Sequence, residues 1–137
     1  MTPSHPAEPG SRGVQQLPSP YPFAETVERL LSAFASHGIK VFVVIDQQAE
    51  ASAVGLDMPP TTLILFGNPK AGTPLMLARP QSGIDLPLKA LISESSSGEV
   101  SVTLNTAAYL LERHALPAEF LVNLAPAERL VATALQR

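Results

Sequence analysis

Of the three lysines in the chain, Lys40, Lys70 and Lys89, the second sits in the segment Gly67-Asn68-Pro69-Lys70-Ala71-Gly72-Thr73. Glycines allow close backbone approach, the lysine supplies a charge, and a following helix start offers N–H groups, a combination that suits an anionic group. GNPKAGT lacks the Gly-Lys-Thr ending of a Walker A loop, so it gives no support to nucleotide hydrolysis by that route. The candidate ligand-binding residues here are Asn68, Lys70, Gly72 and Thr73. A plainer reading is a strand-to-helix connection with one solvated lysine. Asp46 follows an apolar run and could act as a general base or a cation partner if Lys70 or Lys89 faced it. Its alternative role is to cap a helix. Asp85, Lys89 and Glu94 form a second group, in which Lys89 either snorkels at a sheet edge or points into a cleft.

Other chemistry is thinly represented. His5, His37 and His114 do not have the spacing of a metal site, and His114 near a helix end complements the helix dipole instead. No serine occupies a Gly-x-Ser-x-Gly setting, and Ser95, Ser96 and Ser97 read as turn residues. The absence of cysteine excludes disulfides, thiolate metal sites and a cysteine nucleophile. No cofactor or metal is expected.

Residues 14–116 are expected to form one α+β domain that positions these groups. Val14 to Leu17 reads as a short edge strand between Gly13 and Pro18. Pro22 opens a helix, and Phe23, Val27, Leu30, Leu31 and Phe34 place one apolar stripe along it, with Gly38 as the stop. Val41 to Ile45 is apolar on both faces and reads as a central strand. Asp46 caps a short helix over 47–54, ended by Gly55. Thr61 to Phe66 is a second buried strand, after which Thr73 and Pro74 start a helical turn. Leu86 to Ser93 and Glu99 to Leu104 flank the turn at 95–98, as in a hairpin. Asn105 or Thr106 caps the next helix, and a last helix from Ala118 to about Leu135 is divided by Pro126.

The 137 residues carry 9 Lys and Arg against 12 Asp and Glu, a net charge of −3, without a basic patch to hold a phosphate backbone. Nucleic acid is therefore not an expected partner. The apolar run Val41 to Ile45 is far short of the ~20 residues of a membrane span, and the N-terminus lacks the pattern of a signal peptide. The expected location is the cytoplasm, with no membrane partner. Residues 1–13, rich in Pro, Ser and Gly, are expected to form a disordered tail, and 117–137 a C-terminal helical extension.

The order and spacing of YPFAETVERLLSAFASHGIKVFVVID, FGNPKAGTPLM, DLPLKALISE and a closing LLERH resemble the domain-of-unknown-function family 302, over about Tyr21 to His114. Phe66 to Met76 is the most specific part, followed by Asp85 to Lys89. The resemblance implies a small α+β domain with a β-α-β-β-β-β-α core. In that layout helices cover one face of an antiparallel sheet of four to five strands, similar to the TATA-binding-protein-like fold, and the domain pairs as a homodimer; DNA binding is not implied. No reaction comes with the resemblance. It supplies only motif positions: Asp46, Gly67, Asn68, Lys70, Gly72, Thr73, Pro74, Asp85 and Lys89. Asn105 and Thr106 depart from the Asp-Pro of many members, and residues 117–137 extend past the usual end.

Three functional readings follow. The leading one is a homodimeric module that binds a small anionic or acidic molecule in a cleft between Gly67–Thr73 and the strand bearing Lys89. In the second, an enzyme uses Asp46 as base and Lys89 to stabilise developing negative charge. The third is a structural or regulatory protein whose C-terminal Phe120, Leu121, Leu124, Leu130, Val131 and Leu135 pack on another chain.

Overall fold

The computed structural model describes residues 12–137. Most of the tail assigned to residues 1–13 lies outside the described residues. Five strands, β1 (Val14–Ser19), β2 (Lys40–Asp46), β3 (Thr61–Gly67), β4 (Leu88–Glu94) and β5 (Val100–Asn105), form one sheet in the order β1-β5-β4-β3-β2. Every neighbouring pair is antiparallel. The helices are α1 (Phe23–Ser36), α2 (Gln47–Ala53), α3 (Pro69–Ala78), α4 (Ala107–Arg113) and α5 (Leu121–Ala134), with 3-10 turns at Pro80–Asp85 and Ala118–Phe120.

Alternation along the strands sends Ile64, Phe66, Ala90, Ile92, Val102 and Leu104 to the buried face. There they meet Leu30 and Phe34 of α1, Val131 of α5 and Leu135 just past its end. The Phe34 and Phe66 rings stack at 4.2 Å between centroids. A second cluster, Leu75, Ala107, Leu110, Leu111, Leu116 and Leu124, joins α3, α4 and α5. The hairpin at 95–98 closes with Gly98 at φ +87°, a conformation a side chain resists. At the opposite end of β5, Gly13 has φ +75°, and a Cβ there would lie 2.1 Å from Cγ of Tyr109, so only glycine lets that ring pack on the chain.

Three expectations need correcting. Val41 to Ile45 lies in an edge strand, not at the centre of the sheet: β2 pairs only with β3, and Phe42, Val43 and Val44 are each more than 40% exposed. Its run of apolar residues reflects a strand with two apolar faces, of which the one away from the helices has no cover from α1 or α5. Pro126 does not divide the last helix, which runs on through it as α5. Nor is the C-terminal segment an appendage with an apolar face turned outward. Leu124, Val131 and Leu135 are buried within this chain's own core, because the helical layer would otherwise leave β3, β4 and β5 bare.

Candidate functional site

Chain reversal after β3 starts the site. Asn68 is the N-cap of α3 and its side chain accepts from the Lys70 N–H at 3.0 Å. Its own carbonyl accepts from Ala71 and Gly72 at 2.8 and 2.9 Å. Pro69 at the first position has no N–H to satisfy. The expectation of free N–H groups at this helix start is thus corrected, since the first turn is already satisfied and the helix begins four residues before Thr73. What remains available is side-chain chemistry, above all the Lys70 ammonium.

A cavity of about 750 Å³ opens beside this turn. Gly67 to Thr73 form one side, and Val122, Asn123, Leu124, Pro126, Ala127 and Leu130 of α5 face them. Ile39, Phe42, Met76, Leu86 and Leu88 complete the apolar walls. Asn123 Nδ2 donates to the Ala71 carbonyl at 3.0 Å, tying α5 to α3 across one end. His37 borders the cavity with Nδ1 donating to the Ala33 carbonyl at 3.0 Å. Among the described residues no aspartate or glutamate lines the space.

Both facing helices contain a proline, Pro74 in α3 and Pro126 in α5. Because proline has no N–H, the carbonyls of Lys70 and Val122 lack the donor four residues on. Both residues border the cavity.

The structure therefore brings Asn68, Lys70, Gly72 and Thr73 to one cavity wall, while Asp46 and Lys89 stand elsewhere. Asp46 caps α2, accepting from the Ala49 N–H at 2.9 Å. Lys89 lies opposite Leu65, which lies opposite Val43, whereas Asp46 lies opposite Thr62 and through it Ile92. That register sets Asp46 and Lys89 two strands and three residues apart, roughly 14 Å at strand spacings of about 4.8 Å and rises of about 3.3 Å. Alternation also assigns them to opposite faces of the sheet, so they do not form an acid–base pair. Leu88, not Lys89, borders the cavity beside the loop.

Asp85 turns away from Lys89 and Glu94. Arg113 Nη1 donates to both its carboxylate oxygens, at 3.1 and 2.9 Å, and His114 Nε2 donates to Oδ2 at 2.6 Å. This joins the DLPLK segment to the end of LLERH. The Arg113 side chain is 49% exposed, so its share is small, whereas His114 is 6% exposed and loses its partner if the carboxylate is removed. Asp85→Asn is expected to lower unfolding stability by about 2 kcal/mol, read from the urea midpoint, the scale of a hydrogen bond to a charged group. A loss within ~0.5 kcal/mol would place the bond outside the folded state's stabilising contacts.

The cavity residues of α5, and His37 and Phe42, were not assigned to a binding site from the sequence, although Leu124 and Leu130 were read as a partner-binding face. They lie 49 or more residues after the loop's last residue, or 25 and 30 before its first, and only strand pairing and α5 docking bring them together. The internal prolines were visible but carried no sign of which helix faces they marked.

Comparison with known proteins places the chain. It is 44% identical over 104 residues to proteins named fluoride-specific ion channel FluC 1 from Brucella suis biovar 1 and from Brucella abortus biovar 1. The matched stretch covers 76% of this chain but 41% and 38% of those proteins, so the chain spans about two fifths of the length of these curated relatives. No helix among the described residues is long and apolar enough to cross a membrane. A solved structure, that of an uncharacterized conserved DUF302 protein from Bacillus stearothermophilus, superposes with a TM-score of 0.76. At 18% identity, covering 90% of this chain and 96% of that one, it shows a shared fold. The sequence profile of the domain of unknown function DUF302 matches residues 15–136, a span that takes in α5, and the chain belongs to that family.

Proposed function

We propose that this domain is a homodimeric binding module for a small acidic molecule. The cavity of about 750 Å³ beside Gly67–Thr73 carries this reading. Its size falls within the roughly 300–1,000 Å³ of small-molecule sites, and it combines apolar walls with a few polar groups, as such sites do. Lys70, with no acidic residue among the described residues that line the cavity, favours a negatively charged guest. Support for a second copy comes from the sheet face turned away from the helices. Alternation places Val43, Ile45, Leu63, Leu65 and Leu91 together there, an aliphatic patch bordered by Lys89, Thr103 and Ser93.

The named relatives favour a related setting, in which such a domain works as the ligand-sensing part of a longer protein or beside a channel. Fluoride itself suits the cavity poorly. A small, strongly hydrated ion needs hydrogen-bond donors on all sides, and here one ammonium and a few polar side chains stand against mostly apolar walls.

Native mass spectrometry of the protein purified from its host tests both parts. A dimer carrying one small acidic molecule per subunit is expected, with the added mass lost in Lys70→Ala. A bare monomer whose melting temperature no anionic metabolite raises would end the proposal.

A further inference from the structure

Resting on that binding role, we infer that the guest is an amphiphilic monoanion: one acidic head group on an extended apolar body. Several polar groups around the turn are already committed within the protein. Asn68 Oδ1 and its carbonyl hold the first-turn N–H groups of α3, and Asn123 Nδ2 is bonded to Ala71. Lys70 is the cavity's one permanent cation, and it makes no ion pair among the described residues. One cation without an acidic neighbour matches one acidic head.

Most of the remaining lining cannot recognise anything polar. Ile39, Phe42, Met76, Leu86, Leu124 and Leu130 offer only apolar surface. An ion the size of acetate or phosphate would occupy a small part of 750 Å³ and leave those walls in contact with water. An alkyl or aryl body covers them, and each fully buried methylene is expected to raise affinity about fourfold. Affinity should therefore climb with chain length, whereas a site for a compact anion would show no such trend.

Isothermal titration calorimetry of the full chain separates the contributions, using decanoate, decan-1-ol, acetate and inorganic phosphate as probes. Decanoate is expected to bind at least tenfold more tightly than decan-1-ol. Lys70→Gln, at an exposed position that should tolerate the change, is expected to erase that difference and leave decan-1-ol affinity unaltered. Acetate and phosphate are expected to bind at least a hundredfold more weakly than decanoate. Acetate or phosphate matching decanoate would overturn the amphiphile and leave a compact-anion site standing. Equal binding of decanoate and decan-1-ol to the wild type would remove the acidic head from the inference. No heat or melting shift from any probe would count against both this inference and the binding role beneath it.

Discussion

A chain ending at Leu116 is expected to lose cooperative unfolding altogether. Residues 117–137 supply Leu124, Val131 and Leu135, all buried, from α5 and its end. At about 1.5–3 kcal/mol for each large aliphatic side chain, their burial contributes about 5–9 kcal/mol. Whole domains are stable by about 5–15 kcal/mol, so little or nothing remains after the deletion. The cut would also expose Leu30, Phe34, Ile64 and Ile92 to water, which favours aggregation. Circular dichroism through a urea titration reads the outcome. A truncated chain with a sharp transition and an altered subunit count would return α5 to the role of a partner-binding segment.

Phe34→Ala is the point substitution with the largest expected effect, a loss of about 3–5 kcal/mol. Phe34 is fully buried at the C-terminal end of α1, stacked on Phe66 and packed in the cluster that includes Leu30, Val102 and Val131. Sheet and helix both constrain the site, so a cavity left by the ring would not collapse readily. Equilibrium urea unfolding at fixed m-value measures the loss. Phe42→Ala is the matched control: that ring is 45% exposed, and the expected change is under about 1 kcal/mol. Equal losses for the two would mean that α1 is not docked on the sheet as described.

Much of the fold was legible because its local signals agree with its packing. The stripe of Phe23, Val27, Leu30, Leu31 and Phe34 announced α1, Asp46 and Gly55 bracketed α2, and alternation at Val100, Val102 and Leu104 gave β5. Position within the sheet was legible only in part: Val14 to Leu17, between Gly13 and Pro18, read as an edge strand and β1 is one, but the place of β2 was not readable. Val41 to Ile45 has the composition of a strand covered on both faces, yet it lies at the edge, since composition reports how apolar the two faces are and not how many neighbours the strand has. The loop half of the cavity was visible as GNPKAGT. Its other half required knowing that α5 folds back over α3, a tertiary relation with no local sequence signature. Lys89 and Asp46 were placed near the loop by motif order alone. The strand register, which sequence spacing does not encode, separates them.

The prolines within α3 and α5 bear on how a buried guest could come and go. The floor of the cavity borders a continuous hydrogen-bonded sheet, while two of its flanking helices each lack a backbone bond near the opening. Segments with fewer internal bonds and more solvent contact open at lower free energy than laddered strands. Breathing would accordingly be concentrated in the helical walls, with amide exchange faster across α3 and α5 than in β3 and β4. Entry and release could then proceed through local fraying while the core clusters of Phe34 and Phe66 stay intact.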